Sequence, residues 1–217
     1  IYNRGVEKRN IFLRKNDYLR FLQGLYEFND ENLITNAGRR SFLECERRAT
    51  RGEEKEAIVS LLSFVLMPNH FHLLIQPISE TGVQEFMHRL GVSYSKYFNL
   101  STGRTGRLFE STFKAKEITS DAYLLHIVRY LHLNPLSLFQ KNWKEIGIKD
   151  VEAARRFLDS YSWSSYSTYL GEKGMEFLID QKVVEDVIQS TGTMHKEFVF
   201  SWTQRDISKI YDHLSET

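Results

Sequence analysis

Ala57-Ile58-Val59-Ser60-Leu61-Leu62-Ser63-Phe64-Val65-Leu66-Met67-Pro68-Asn69-His70-Phe71-His72-Leu73-Leu74-Ile75-Gln76 is the stretch whose reading decides the fold. Residues 57–67 are rich in Val, Ile, Leu and Phe, Pro68-Asn69 is a turn dipeptide, and residues 70–76 resume the apolar pattern. Strand, tight turn and strand is the reading. The run 58–67 is interrupted by Ser60 and Ser63 and is about half the ~20 residues that cross a bilayer, so no membrane span is expected.

Upstream, Tyr2-Asn3-Arg4 reads as a first strand ended by Gly5, and Asn16 or Asp17 can cap a helix with Leu19, Phe21, Leu22, Leu25 and Tyr26 at helical spacing. The chain opens on Ile1 with no signal-peptide plan, and a few preceding residues are expected to be missing. Residues 29–56 are a polar, partly helical excursion. Downstream, Val83, Phe86, Met87, Leu90, Tyr94, Tyr97 and Phe98 mark an amphipathic helix over 82–100. A basic loop at 101–107 follows, and residues 108–118 are expected to return as a strand. Ser120 caps the next helix, whose core stripe is Leu124, Ile127, Val128 and Leu131. Asn134-Pro135 should end it, because a residue before proline disfavours the α region. The fold expected is α+β, an antiparallel sheet with helices on one face, over residues 1–138. Residues 139–217 read as a mainly helical C-terminal extension, with an aromatic run at 161–169 and helical patterns at 183–188 and 207–214.

At 41% hydrophobic and 26% charged, the 217 residues have the balance of a chain that folds rather than one that stays disordered. Cys45 is the single cysteine, which excludes an internal disulfide and a CxxC zinc site and points to a reducing compartment. The formal charge of +1 is unevenly spread. Arg4, Lys8, Arg9, Arg14, Lys15 and Arg20 oppose Glu7 and Asp17 in residues 1–20; Arg89, Lys96, Arg104, Arg107, Lys114 and Lys116 oppose only Glu110 in residues 88–116. Two such blocks are either solvated faces or a groove for a polyanion.

On a strand, His70 and His72 project to one face and Phe71 to the other, a geometry that can put two nitrogen ligands on one cation or simply hold two partly buried imidazoles. The HxHxDH pattern of a metallo-β-lactamase-like site is missing, since Leu73, Leu74 and Ile75 follow His72. At about 100° per residue, Tyr130 and Asn134 share a flank of their helix, off the apolar stripe, so a phenol and a carboxamide face the same way. Tyr130 is equally read as an amphipathic residue at the core edge. Neither GxxxxGK[ST] nor GxGxxG occurs, so no nucleotide cofactor is indicated.

Together, Met67-Pro68-Asn69-His70-Phe71-His72-Leu73-Leu74, Gly106-Arg107-Leu108-Phe109-Glu110 with Phe113-Lys114, and Arg129-Tyr130-Leu131-His132-Leu133-Asn134-Pro135 resemble the REP-associated tyrosine transposases of the single-tyrosine HUH superfamily. Tyr2-Asn3-Arg4-Gly5 and Trp163-Ser164-Ser165-Tyr166 also resemble that family, whereas the 29–56 excursion is longer than usual for it. The resemblance implies a ferredoxin-like (RRM-like) core. It further implies that His70, His72 and Asn134 bind a divalent cation, Mg²⁺ or Mn²⁺, and that Tyr130 is the nucleophile. The implied product is a 5′-phosphotyrosine with a free 3′-OH, and the implied substrate is single-stranded DNA bearing hairpins or palindromic repeats. Arg4, Arg104, Arg107 and Lys114 are the candidates for backbone contact. Trp163, Tyr166 and Tyr169 are candidates either for base stacking or for the core. A monomer or homodimer in a prokaryotic cytoplasm, associated with the nucleoid, is what the resemblance implies. A hairpin-binding relative that no longer cuts, or an RNA-processing one, is the alternative.

Overall fold

The structure, a computed structural model, describes all residues except 33–39, 54, 190, 191, 193 and 203–217. The helical pattern at 207–214 therefore lies outside the described residues. β1 (Tyr2–Arg4), β2 (Val59–Met67) and β3 (His70–Pro77) form one antiparallel sheet in the order β1-β3-β2. The hairpin turns at Pro68-Asn69, as its sequence indicates, and a bulge between Leu61 and Ser63 shifts the register.

Both outer edges of this sheet are covered. Residues 108–114 run antiparallel beside β1, bridging Phe109 to Gly5 and Lys114 to Tyr2. They do not form the regular strand expected over 108–118. Asn3 is the reason: its buried side-chain amide donates to the carbonyls of Ser111 (2.9 Å) and Thr112 (2.8 Å), so those groups turn away from the ladder. On the other edge, Leu66 N–H donates to Trp163 O at 2.8 Å and Ser165 N–H to Phe64 O at 3.0 Å.

The helices are α1 (Lys15–Glu27), α2 (Phe42–Thr50), α3 (Gly82–Thr102) and α4 (Asp121–Leu133), followed by the short α5 (Leu136–Phe139) and α6 (Trp143–Ile146). Then come α7 (Val151–Ser160), α8 (Tyr166–Tyr169), α9 (Lys182–Gln189) and α10 (His195–Phe200). α1 is capped from inside its first turn, not by Asn16 or Asp17 at its entry. Arg14 is the residue before the helix, and the Asp17 carboxylate accepts from the N–H groups of Leu13 (2.8 Å) and Arg14 (2.9 Å). α3 stops at Gly103, which takes the left-handed conformation at φ 66. Ser120 caps α4 as expected, accepting from Tyr123 N–H. At the other end Asn134 stays in the α region although Pro135 follows, and the chain runs on into α5.

Helices cover both faces of the sheet, which corrects the one-face expectation. Phe21 of α1 packs on Phe71 with ring centres 4.8 Å apart, and Tyr94 of α3 packs on Phe21 at 5.0 Å. That is the Phe71 face. Strand alternation sends His72 to the other face, where α4 lies across β2 and β3. Every β2 residue except Ser60 is buried, as a strand covered on both sides must be. The aromatic run after residue 160 also belongs to the core. Tyr166 and Tyr169 are buried, and Trp163 stacks on Tyr18 at 4.3 Å. Among the described residues no helix is long and apolar enough to cross a membrane.

Candidate active site

His70 and His72 sit on the α4-facing side of β3 with ring centres 5.1 Å apart and edge to face. The Asn69 amide holds His70. Its nitrogen donates to Lys8 O at 3.3 Å, which turns its oxygen toward His70 Nδ1 at 2.6 Å. That assigns the ring proton to Nδ1 and leaves Nε2 unprotonated, the form in which a ring nitrogen can bind a cation. His72 lies between Tyr2, stacked on it at 5.6 Å, and the edge of Tyr130 at 5.0 Å.

α4 delivers the rest. The Tyr130 hydroxyl is 3.3 Å from His72 Nε2. One helical turn later, the Asn134 amide comes close enough to act on both the His70 ring and the Tyr130 hydroxyl. All four side chains proposed from the sequence, separated by up to 64 positions, thus meet at one place. A cleft of about 750 Å³, lined in part by Tyr2, His72, Leu74, Tyr123, Ile127 and Tyr130, opens beside them.

Burial dominates the electrostatics. It pushes His70 down to about 4, with Arg4 and Lys144 adding to the effect and the Asn134 hydrogen bond opposing it. His72 is lowered well below the ordinary histidine value, again chiefly by burial. Tyr130 is pushed up to about 12 by burial, against the Asn134 hydrogen bond and the Arg4 charge. At neutral pH both imidazoles are uncharged and the phenol keeps its proton. Neutral imidazoles and an amide oxygen are competent metal ligands. Among the described residues no group of three or more His, Cys, Asp or Glu side chains is placed to hold an ion.

Of the basic candidates, Arg4 lies opposite His70 in the β1–β3 ladder, and Lys114 Nζ stands 5.5 Å over the Tyr2 ring. Arg104 and Arg107 instead brace their own loop: Arg104 donates to Asn99 Oδ1 (2.7 Å) and Arg107 to Glu110 O (2.8 Å). Two participants escaped the sequence reading. Asn69 was legible only as a turn residue, and Lys144 lies in the segment read as an extension. Its Nζ is 5.5 Å from the Tyr130 ring centre. No local pattern marks it except the adjacent Trp143.

His132, two residues from both Tyr130 and Asn134, points elsewhere as the helical angle requires. It enters a buried cluster with Ser63 (3.0 Å), Ser165 (3.2 Å) and His195 (3.0 Å).

Residues 42–134 match the family model described as "Transposase IS200 like". The matched segment runs from α2 through the hairpin and α4 to Asn134, so it contains His70, His72, Tyr130 and Asn134. No curated protein and no solved structure matches the chain.

Proposed function

We propose that this chain, whose residues 42–134 match the IS200-like transposase model, is a DNA-nicking and strand-joining enzyme that works through a covalent tyrosine intermediate. The observation that carries this reading is the convergence of the Tyr130 hydroxyl and the Asn134 amide on the His70/His72 pair. Residues 108–114 outside β1, with β3 and β2 beyond it and α1 and α3 on the Phe71 face, support a ferredoxin-like core over 1–138.

In the proposed reaction Tyr130 Oη bonds to a phosphorus of single-stranded DNA near a hairpin while the bond from phosphorus to the 3′ oxygen breaks. The phenol gives up its proton to a base, and the departing 3′ oxygen takes one. The product is a 5′-phosphotyrosine and a free 3′-OH, whose reverse attack rejoins the strand. No nucleotide cofactor is needed, because the phosphotyrosine conserves the energy of the broken bond. His70, His72 and Asn134 fit a divalent cation, Mg²⁺ or Mn²⁺, which when bound would supply Lewis-acid stabilisation of the phosphate charge. Asn69 orients His70 for that role, and Asn134 also favours the ionised phenol. Arg4 and Lys114 are placed to hold the strand's phosphates, and Arg104 and Arg107 would do so at the margin.

The test incubates the protein with single-stranded hairpin oligonucleotides and Mn²⁺ and looks for a denaturation-resistant protein–DNA adduct. Wild type should form one. Tyr130→Phe should form none while binding the hairpin nearly as well. An undiminished adduct in Tyr130→Phe rejects Tyr130 as nucleophile; hairpin binding by wild type without any cut product favours a non-cleaving binding protein.

A further inference from the structure

Lys144 reaches the site from beyond the segment that carries the histidines, Tyr130 and Asn134. α6 is a single turn, seated by the fully buried side chain of Trp143. Gln140 closes the loop around it: its amide nitrogen donates to Gly147 O at 2.7 Å, and its oxygen accepts from Lys149 N–H at 3.0 Å. The half-buried Lys144 is thereby held, with Nζ 5.5 Å from the Tyr130 ring centre. Its positive charge is felt by both His70 and His72. Arg4 brings a second positive charge from β1, and its Nε is buried without a hydrogen-bond partner. Two cations brought beside a buried hydroxyl from separate elements contribute a field that favours an anion.

Resting on the transposase reading above, we propose that Lys144 is a further catalytic residue whose ammonium group, together with Arg4, binds a non-bridging oxygen of the scissile phosphate. It stabilises the charge that builds there as Tyr130 Oη bonds to phosphorus and the electron pair of the breaking bond leaves with the 3′ oxygen. Lys144 keeps its proton throughout. The segment after residue 138 is then part of the catalytic centre and not only an extension beside it.

Lys144→Cys tests this, because the one native cysteine, Cys45, is fully buried and does not compete for alkylation. Bromoethylamine restores an ammonium group at position 144; iodoacetamide adds a neutral amide of similar bulk. Single-turnover cleavage of a hairpin oligonucleotide with Mn²⁺ should slow about 100-fold in Lys144→Cys, the loss typical of removing one transition-state charge partner. Hairpin binding should weaken only about threefold, as for a single phosphate contact. Aminoethylation should recover most of the rate and carbamidomethylation none of it. An unchanged rate in Lys144→Cys, equal recovery with both reagents, or no recovery with bromoethylamine overturns the role. If wild type itself forms no adduct, the transposase reading fails and takes this one with it; cleavage by wild type with an unaffected Lys144→Cys rejects Lys144 alone.

Discussion

Replacing Ser165 by alanine would strip the hydroxyl through which the segment after β2's outer edge grips both the sheet and α4. Ser165 Oγ accepts from Phe64 N–H at 3.0 Å and lies 2.8 Å from Ser63 Oγ and 3.2 Å from His132 Nε2. Ser63, His132 and Ser165 are each fully buried. In the alanine variant Ser63 and His132 still have each other at 3.0 Å, but the buried Phe64 N–H loses its acceptor, and the space vacated by one oxygen is too small for water. A buried donor left unpaired costs about 1–3 kcal/mol, and a lost hydrogen bond in the same cluster about 1 kcal/mol more. The expected loss is therefore about 2–4 kcal/mol. With a urea dependence of about 2–3 kcal/mol per molar, the unfolding midpoint should fall by roughly 1 M. Ser160→Ala is the control: that exposed hydroxyl donates only to Phe157 O, and the change should stay within about 0.5 kcal/mol. Equal midpoints for Ser165→Ala and Ser160→Ala would show that the cluster does not hold α4 to the sheet.

The remaining expectations concern the strand before the site, acid and metal. An alanine Cβ at Gly5 would sit 2.3 Å from Arg9 O and 2.8 Å from Ile11 Cγ2, so Gly5→Ala should cost about 1–3 kcal/mol; an unchanged urea midpoint would rule out that close approach. Burial holds His195 down at about 4 and His132 also below its ordinary value, so the folded state stays unprotonated where the unfolded chain gains protons. Stability is then fully present above about pH 6.5 and falls as the pH drops toward 4, by about 1.4 kcal/mol per unit for His195 alone. Urea titrations at pH 7.5 and 5 should differ accordingly, and identical midpoints would contradict the buried neutral histidines. His70, His72 and Asn134 are uncharged donors near Arg4 and Lys144, so Mn²⁺ should bind weakly to the free protein and at least about tenfold more tightly once a hairpin oligonucleotide brings its phosphates. Calorimetric titration giving equal affinities with and without the oligonucleotide would refute that coupling.

Much of this was legible along the chain. The hairpin could be read because a turn dipeptide separates two apolar runs, and the shared face of His70 and His72 because strand alternation has a period of two. The pairing of Tyr130 with Asn134 follows from one helical turn. The layering was harder. The almost unbroken apolar run 57–67 carries the mark of a strand covered on both faces, yet nothing local says that α4 does the covering. Residues 108–114 read as a strand because their composition allows one. The Asn3 side chain, more than a hundred positions away, takes the carbonyls that a regular ladder would need.

By itself, the sequence determined the local directions of the chemical groups: two imidazoles to one side of a strand, a phenol and an amide to one flank of a helix. Those directions come from backbone geometry, which each short segment carries within it. Only the tertiary structure decided that the two sets face one another, that Asn69 sets the His70 tautomer, and that Lys144 and Arg4 bring positive charges to the site. These outcomes depend on how buried surfaces pack across long stretches of chain, and electrostatics in a buried site is set by whatever that packing brings near.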